Sequence, residues 1–483
     1  MLEELIAERK KKLEAIQRAG IDPYPAAVPR TVSAAEVAAN FDAWSSAGKE
    51  VSLVGRIMAV RSQGQIAFVD VRDESGKIQV VLNAKTTENC QFWLDNLDRG
   101  DFASFTGSLF RTQKGEMSIA ATRIVLASKS LRPLPTEWYG VEDEELRFRE
   151  RYVELALKPE VRELFRKKSV FWKTIREFLL AENFLEVETG VLEAVPGGAE
   201  AEPFVTHHNT LDTDFYLRIS LELPLKRLIV GGYEKVFELG RIFRNEGIDR
   251  EHLQDYTQLE FYWAYHDYRD LMKLTRRLYQ ATIEKVTGGL TTSFQGQALD
   301  WSGDWPEVDY CTAFREKNNG LDPLAAIPAD LERRAKELGL AIEPGLGRNR
   351  LIDLIYKKTV RPTLIQPCFL IDPPVVVSPL AKRSLKNPEV AERVQIVAGG
   401  TELSNGFTEL NDPLDQRARF EEQMKLREAG DKEAQMLDED FLHALEYGMP
   451  PTTGFGMSER LFSVLMDQPI RECVFFPLMK PKG

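Results

Sequence analysis

The chain has 483 residues, of which 43% are hydrophobic and 29% charged, and it carries a formal net charge of −12. This length predicts two or three domains, and the negative charge argues against a protein that coats nucleic acid with its whole surface. The most apolar stretch, "LIQPCFLIDPPVVVSPL" at 364–380, is interrupted by prolines and an aspartate. We therefore expect no membrane span and no membrane partner.

The cysteines indicate a reducing compartment. Cys90, Cys311, Cys368 and Cys473 lie far apart with no CxxC pair, so neither a disulfide framework nor a zinc site is expected. The N-terminus lacks the apolar core and small-residue cleavage site of a signal peptide. Together these features predict a cytoplasmic protein.

The first 20 residues predict an amphipathic helix. Apolar residues recur at helical spacing from Leu2 to Ile16, and Gly20 ends the pattern. A basic cluster runs from Arg9 to Lys12. Two interpretations stay open: the helix packs on its own domain, or its basic face meets a polyanion.

Residues 51–128 predict a small β-barrel. Five short alternating segments are separated by turn signals, with a helical stretch near 87–98 between the third and fourth. This order is compatible with an OB-fold, whose open strand face often binds single-stranded nucleic acid. Arg61, Phe68 and Gln79 are candidates for that face, although any one of these residue types alone is more often ordinary surface or core.

A proline-punctuated linker, "LRPLPTEWYG" at 131–140, separates this region from a longer α+β part. A helix is predicted over roughly 160–182, followed by the strand "FLEVET" and the glycine-rich stretch "VPGGAEAEPF". Strands and helices then continue to the end of the chain.

The stretch "FRNEGIDREHLQDYTQLEFY" at 243–262 predicts two antiparallel strands joined by an unusually long polar loop. A hairpin needs only about two to five loop residues, so the surplus suggests ligand binding. Arg244 offers a rigid fork of donors for a phosphate. Glu246 could accept from an exocyclic amine, His252 could meet a phosphate, and Tyr256 could stack on a base. Surface salt bridges are the alternative.

A second arginine, Arg460, follows the glycine-rich strand "TTGFGMSE" and opens a helical pattern. Glycines there would let a ligand approach the backbone closely. Two arginines flanking a nucleotide, with a carboxylate for Mg²⁺, would stabilise the charge that develops during displacement at an α-phosphate.

A third element is acidic. Alternate residues of a strand can converge on one site, and several carboxylates in one apolar-walled pocket raise each other's pKa unless a cation neutralises them. A substrate with two ammonium groups, or Mg²⁺, would do so. The residues concerned are Glu222, Glu260, Glu402, Asn405, Phe407 and Glu409.

These motifs, in this order, resemble class II lysyl-tRNA synthetases almost end to end. "FRNEG…H…Y…LEFY" resembles the second class II motif, "GFGMSER" the third, and "FLEVET" the end of the first. "ELSNGFTELNDPLDQ", "PFVTHHNTLDTDFYLRIS", "VVVSPLAK" and "ALEYGMPPTTG" resemble lysine enzymes in particular. The resemblance implies an α+β fold: an N-terminal OB-fold β-barrel, then a class II catalytic domain built on an antiparallel sheet flanked by helices.

The resemblance also implies domain boundaries: an N-terminal helical extension at 1–50, an OB-fold anticodon-binding domain at 51–132, a linker at 133–150 and the catalytic domain at 151–483. It implies a two-step reaction in which lysine and Mg²⁺-bound ATP give lysyl-adenylate and pyrophosphate, and the lysyl group then passes to the 3′ end of tRNA(Lys). It further implies a homodimer.

Residue roles follow from the same resemblance. Arg244 and Arg460 would be catalytic and, with Glu246, His252, Tyr256 and Glu402, would bind ATP. The lysine pocket would comprise Gly198, Glu222, Glu260, Tyr262, Asn405, Phe407 and Glu409. Mg²⁺ would be held by Glu402, by Gln395 as a weak ligand, and by Glu409. The anticodon would meet Arg61, Phe68, Gln79 and, as a weaker candidate, Glu116.

Three positions depart from the family pattern. Gly190 stands where the first motif usually ends in proline, at the dimer interface. The third motif is one residue short, with Ser458 in the gap. Gln395 stands seven residues before Glu402, where a glutamate ligand is usual, and a neutral amide supplies no charge to Mg²⁺.

Three rival functions share parts of this sequence pattern. An aspartate or asparagine synthetase shares the overall plan, but the acidic pocket and "NGFTELND" argue against it. A lysyltransferase acting on a protein would typically lack the barrel. A catalytically silent RNA-binding or regulatory paralogue would be expected to lack Arg244, Arg460 or the carboxylates, and all are present.

Overall fold

The protein divides into two compact units, Met1–Asp143 and Glu144–Gly483. The computed structural model describes residues 2–135, 143–247, 252–342, 346–428, 430 and 434–481. Part of the predicted linker (136–142) and part of the long loop (248–251) lie outside the described residues.

The first unit is a closed five-stranded barrel with three helices. Its strands are joined in the order β1-β2-β3-β5-β4, which confirms the predicted OB-fold arrangement with a helix after the third strand. The elements in chain order are α1 (Leu2–Arg18), α2 (Ala34–Ser46), β1 (Glu50–Gln63), β2 (Ile66–Arg72), β3 (Lys77–Asn83), α3 (Cys90–Asn96), β4 (Phe102–Arg111) and β5 (Met117–Ser128).

Helix α1 packs against this barrel unit. Ile16 is completely buried in the barrel core. The Arg9 guanidinium donates to the carbonyl oxygens of Arg99 at 2.8 Å and Ser130 at 3.1 Å. The Lys12 ammonium lies 2.8 Å from an Asp98 carboxylate oxygen. Arg9 and Lys12 of the basic cluster therefore bind residues of their own unit. This agrees with the interpretation in which the helix packs on its own domain.

The second unit is built on one large sheet. Its helices are α4 (Glu144–Arg149), α5 (Arg151–Leu157), α6 (Pro159–Ala181), α7 (Glu222–Val230), α8 (Tyr268–Thr287), α9 (Tyr310–Lys317), α10 (Pro328–Glu337), α11 (Arg348–Thr359), α12 (Pro413–Glu428), α13 (Glu439–Glu446) and α14 (Arg460–Met466), with short 3-10 helices at Arg361–Thr363, Val375–Val377 and Ile470–Cys473.

Its strands are β6 (Leu185–Glu186), β7 (Leu192–Glu193), β8 (Val205–His208), β9 (Thr213–Leu217), β10 (Lys235–Phe243), β11 (Asp255–Ala264), β12 (Thr291–Phe294), β13 (Gln297–Asp300), β14 (Glu307–Asp309), β15 (Cys368–Ile371), β16 (Arg393–Ala398), β17 (Thr401–Thr408) and β18 (Thr452–Ser458). Strands β7, β9 and β8 form a small separate sheet, and β12 pairs with β13. The predicted strand "FLEVET" is thus much shorter than expected, and residues 144–149, placed in the linker by the sequence, are helical.

The large sheet is mixed, with the order β14-β15-β16-β17-β18-β11-β10-β6. The six central strands are antiparallel to one another, as predicted. The prediction is wrong at both edges, where β6 and β14 run parallel to β10 and β15. Parallel neighbours need a crossover connection, usually through a helix, and α7 lies between β6 and β10 in the chain.

The two faces of this sheet have different coverings. On one face, Phe237, Phe261 and Phe455 pack into a core with α6, α8 and α14. On the other, Val236, Tyr262 and Phe407 pack with α7, α12 and α13. Successive residues of a strand point to opposite faces, so Glu260 lies on the same side as Tyr262. The predicted site residues therefore belong to this second face.

None of the described helices is both long enough and apolar enough to cross a membrane.

Candidate active site

The long loop joins β10 to β11 and is anchored at its base. The last strand pair is Phe243 with Asp255, and the Arg244 N–H then donates to the Gln254 carbonyl at 2.8 Å. The Gln254 side-chain amide donates to the Gly247 carbonyl at 3.0 Å. These bonds place the ends of the loop beside the sheet.

Two adjoining cavities open on this face of the sheet. The outer cavity has a volume of about 570 Å³ and the inner one about 330 Å³. Arg244, Tyr256, Arg393, Glu402 and Arg460 line both. The cavities therefore meet where the two predicted catalytic arginines lie.

The outer cavity collects the residues expected to bind ATP, together with further cations. Arg244, Glu246, His252, Tyr256, Glu402 and Arg460 all line it. Arg350, Lys357 and Arg361 line it as well, and the sequence analysis missed them. Guanidinium groups match the geometry of phosphate oxygens, so this cavity suits a polyphosphate.

Both predicted catalytic arginines are held by backbone carbonyls. Arg244 Nε donates to the Ile219 oxygen at 3.2 Å, and an Arg460 terminal nitrogen donates to the Glu402 oxygen at 3.1 Å. The Arg244 guanidinium carbon lies 5.8 Å from the centroid of the Tyr256 ring. A guanidinium fixed in this way loses little further freedom when an anion binds.

The shortened third motif still delivers Arg460 to the cavity. Strand β18 pairs with β11 up to Ser458. The next residue, Glu459, is buried: its carboxylate accepts from the Lys168 ammonium at 2.7 Å and the Thr257 N–H at 3.3 Å. Arg460 then begins α14. The buried carboxylate anchors the turn, so the missing residue does not displace the arginine from the cavity lining.

The inner cavity collects all seven residues expected to bind lysine. It is lined by Gly198, Glu222, Glu260, Tyr262, Asn405, Phe407 and Glu409. Alternation explains the convergence, because Glu260 and Tyr262 point to one side of β11 while Asn405, Phe407 and Glu409 follow the same period along and just beyond β17. The Glu222, Glu260 and Glu409 carboxyls are buried.

Glu260 is surrounded by donors. One carboxylate oxygen accepts from the Ser220 hydroxyl at 2.6 Å, the Leu221 N–H at 2.9 Å and the Gln258 amide at 2.5 Å. The other accepts from the Tyr262 hydroxyl at 3.0 Å. Burial, with the nearby charge of Glu222, nevertheless raises the pKa of Glu260 to about 7. The pocket holds this carboxyl in place while keeping it close to protonation.

Gly198 is required by its conformation and its neighbours. Its φ of +84° lies in the left-handed region, which L side chains rarely adopt. A Cβ there would stand 2.8 Å from Glu222 Cβ and 2.9 Å from Ser220 Oγ. A side chain at this position would press on the residues that line the inner cavity.

The expected metal ligands divide between the cavities. Gln395 and Glu402 both line the outer cavity. Glu402 also lines the inner cavity, where Glu409 forms an ion pair with Lys226. Gln395 and Glu409 therefore line different cavities, and Glu402 lines both. Among the described residues, no group of three His, Cys, Asp or Glu is arranged to hold a metal ion.

Several polar residues in or directly behind the inner cavity were not predicted from the sequence. Gln258 lies two residues before Glu260 on the same strand, so alternation could have found it. Arg393 donates to the Asn405 side-chain oxygen at 2.6 Å and orients it. Lys226, four residues after Glu222 on a helical pattern, was open to detection by its spacing. Ser220 offers no such signal.

The anticodon candidates share one outer face of the barrel. Arg61 pairs with Phe68, Asp70 with Gln79, and Gln79 with Ser118 in the strand register. The Arg61 guanidinium lies 3.1 Å from the Asp70 carboxylate. Phe68 is half-buried, while Glu116 is exposed in the turn before β5. The structure thus brings Arg61, Phe68 and Gln79 together on one surface.

The chain belongs to the class II tRNA synthetases. Residues 143–480 match the family described as tRNA synthetases class II (D, K and N), and residues 51–127 match the OB-fold nucleic acid binding domain. Both predicted halves of the fold are thereby confirmed, and the protein is an enzyme of the ligase class.

The similar relatives are lysine–tRNA ligases. The chain is 46% identical to that of Moorella thermoacetica, with 99% of this chain and 98% of the relative covered. It is 46% identical to that of Roseiflexus castenholzii, covering 100% and 99%, and 42% identical to that of Thermotoga maritima, covering 100% and 97%.

The pKa of Glu260 predicts a pH dependence for cation binding in the inner cavity. A protonated carboxyl cannot pair with an ammonium, so affinity for an ammonium-bearing amino acid should rise as pH increases from 6 towards 7 and level off near 8. The slope below pH 7 should approach about tenfold per pH unit. Titration calorimetry with lysine at pH 6, 7 and 8 measures it.

Glu260→Gln should bind lysine more weakly and with a flatter pH profile. The exposed carboxylate variant Glu307→Gln serves as the matched control and should keep the parental profile. An equal slope in the parental protein and in Glu260→Gln would contradict this assignment of the titrating group.

Proposed function

We propose that this enzyme ligates lysine to tRNA(Lys), with the inner cavity as the lysine site and the outer cavity as the ATP site. The observation that carries the proposal is the inner cavity itself: three buried carboxyls, Glu222, Glu260 and Glu409, lie directly beside an arginine-lined cavity. The printed names of the relatives agree with it.

Lysine suits the inner cavity because it brings two ammonium groups on one short chain. A Glu409 carboxylate oxygen facing Gly454 has no hydrogen-bond donor among the described residues, so a ligand ammonium would complete it. Phe407 and Tyr262 offer aromatic walls for the aliphatic stem. An aspartate or asparagine side chain would face these carboxylates without a cation, which disfavours those two members of the family.

In the outer cavity we assign Arg244 to the α-phosphate, and His252 and Arg460 to the β- and γ-phosphates. Glu246 would accept from the adenine amine, and Tyr256 would stack on the ring. These roles follow the family pattern at matching positions, and the shared lining of one cavity supports them.

The chemistry would be two displacements. The lysine carboxylate oxygen bonds to the α-phosphorus while the bond to pyrophosphate breaks. A terminal ribose hydroxyl of tRNA then attacks the acyl carbon, and AMP leaves. Arg244 and Arg460 stand where the cavities meet, so they would stabilise charge developing on the phosphoryl oxygens. Holding both reactants in adjoining cavities lowers the entropic part of the activation barrier for the first displacement, which does not involve the OB-fold barrel.

Gln395 and Glu402 would hold Mg²⁺ with the phosphates. This donor set fits the ion, because Mg²⁺ is usually bound through one or two carboxylates, waters and substrate phosphates. When bound, the ion would neutralise phosphate charge and act as a Lewis acid. We assign Glu409 to the substrate ammonium alone, since its carboxylate already pairs with Lys226 and Gln395 does not line the inner cavity.

The OB-fold barrel would bind the anticodon. Arg61, Phe68 and Gln79 share an outer strand face, and stacking on an aromatic ring is a common mode of single-strand recognition. Glu116 remains a weaker candidate at the edge of that face.

Lysine-dependent exchange of pyrophosphate into ATP, without tRNA, tests the function. Signal is expected with lysine and not with aspartate or asparagine, because only a cationic side chain compensates the buried carboxylates. Phe68→Ala should leave exchange unchanged and weaken aminoacylation by about tenfold or more, since one stacked base contributes roughly 1–3 kcal/mol.

Signal with aspartate or asparagine instead would overturn the pocket assignment. Absence of exchange with every amino acid would favour a catalytically silent regulatory paralogue. The residues that line the cavities argue against that alternative.

Gln395 predicts a weakened ion site. Gln395→Glu adds a second carboxylate, so the Mg²⁺ concentration needed for half-maximal ATP binding should fall by several-fold. Equilibrium ATP binding titrated with Mg²⁺ measures this concentration, and the exposed Gln297→Glu, which lies outside the cavity lining, is the matched control. Unchanged Mg²⁺ dependence would remove Gln395 from the ion site.

We further propose a cytoplasmic homodimer with the domain boundaries stated above. The last turn of α6 and the segments that follow it expose several large apolar side chains, which favours an interface: Leu180, Leu185, Leu192 and Val205. A side chain at Gly190 would meet only the Leu192 carbonyl, at 3.8 Å, so glycine is not sterically required there.

Sedimentation velocity tests the dimer. The parental protein should sediment with twice the mass of one chain, and Leu192→Asp should shift it towards one chain because a buried charge opposes association. Leu414→Asp, at another exposed leucine, should not. A parental protein of single-chain mass at micromolar concentration would contradict the proposal.

A further inference from the structure

A lysine of the protein lies directly behind the inner cavity. Lys226 is completely buried on α7, one helical turn after Glu222. Its ammonium stands 2.5 Å from a Glu222 oxygen and also pairs with Glu409. It is not part of the cavity lining, whereas both carboxylates are. Lys226 therefore acts on the cavity only through Glu222 and Glu409.

The surroundings keep this ammonium charged. Phe407 and Phe441 rings lie 5.4 and 5.9 Å from it. Burial alone would lower the pKa of Lys226, but the two carboxylates raise it above its ordinary value. The other charged or titratable groups near these carboxylates are Glu260 and Tyr262 on β11 and Arg393 on β16.

The charges of Glu222, Glu409 and Lys226 do not balance among themselves. Two carboxylates share one internal ammonium, which leaves one negative charge when both are ionised. The Glu409 oxygen that faces Gly454 lacks a donor among the described residues, and a Cβ on Gly454 would overlap it. Room and charge are thus left for one more cation on the cavity side.

We propose that Lys226 is a positioning residue for amino-acid recognition: its ammonium orients Glu222 and Glu409 and offsets one of their two charges, so that the pocket accepts one substrate side-chain ammonium. The inference rests on the proposed lysine specificity. Burial raises the pKa of both carboxyls, and the Lys226 ammonium opposes that rise, so the protein's own lysine favours their ionised form before the substrate arrives.

Lys226→Met separates this role from mere space filling, because methionine keeps most of the length without the charge. An uncompensated buried carboxylate takes up a proton. The variant should therefore bind lysine at least about tenfold more weakly at pH 7, and binding should release about one additional proton. Titration calorimetry in two buffers of different ionisation enthalpy gives both quantities, and ATP binding should stay at the parental value.

Kinetics give a second readout. In pyrophosphate exchange the KM for lysine should rise by about tenfold or more, while kcat at saturating lysine changes less, because the arginines at the phosphates are untouched. The exposed Lys273→Met is the matched control and should change neither the affinity nor the proton count.

A double-mutant cycle tests the coupling. Glu222→Gln should weaken lysine binding strongly in the parental protein and only slightly in the Lys226→Met background, because Glu222 is held ionised only when Lys226 is present. Equal costs in both backgrounds would overturn the proposal, as would parental affinity and parental proton release in Lys226→Met.

Folding outcomes also decide. If Lys226→Met fails to fold but the double variant Glu222→Gln with Lys226→Met folds, the requirement for Lys226 depends on the charge of Glu222, as proposed. If neither folds, Lys226 is structural and the proposal fails. A parental protein that does not bind lysine would overturn the proposed function itself, which keeps the two failures distinguishable.

Discussion

The burial of three carboxyls at one end of the central sheet is the constraint on which the site depends. Glu222, Glu260 and Glu409 are almost entirely removed from water, and a buried charge is costly unless a partner offsets it. The protein supplies donors for Glu260 and one ammonium for the other two. The remaining charge defines what the cavity accepts.

The sheet turns this local balance into a catalytic arrangement. Strand alternation sends Phe261 into the core beneath α8 and its neighbours Glu260 and Tyr262 into the cavity. The same strand leads back through Tyr256 to the long loop and the second cavity. A single register shift in β11 would exchange the two faces, so core packing and substrate binding are fixed by one set of strand pairs.

The three departures from the family pattern affect different parts of the structure. The shortened third motif is compensated by Glu459, whose buried bonds to Lys168 and the Thr257 N–H hold the turn before Arg460. Gln395 lines the outer cavity together with Glu402, but its neutral amide adds no charge to the expected ion site. Gly190 is exposed in the chain, so its consequence concerns association rather than the interior.

The sequence by itself determined the order of elements in the barrel and the long hairpin, because hydrophobic period and turn signals are local properties. The catalytic fold and the residues expected to share a site came from the resemblance to the family. It missed the parallel edges of the sheet, since pairing at an edge depends on where a crossover returns the chain. Arg350, Lys357 and Arg361 lie on α11 and the 3-10 helix after it, and they line the outer cavity. They belong to no recognisable motif, so the sequence did not predict them there. Only the tertiary structure decided that Gln395 and Glu409 line different cavities and that Lys226 stands behind the carboxylates, because charge balance in a buried cluster depends on elements that are distant in the chain.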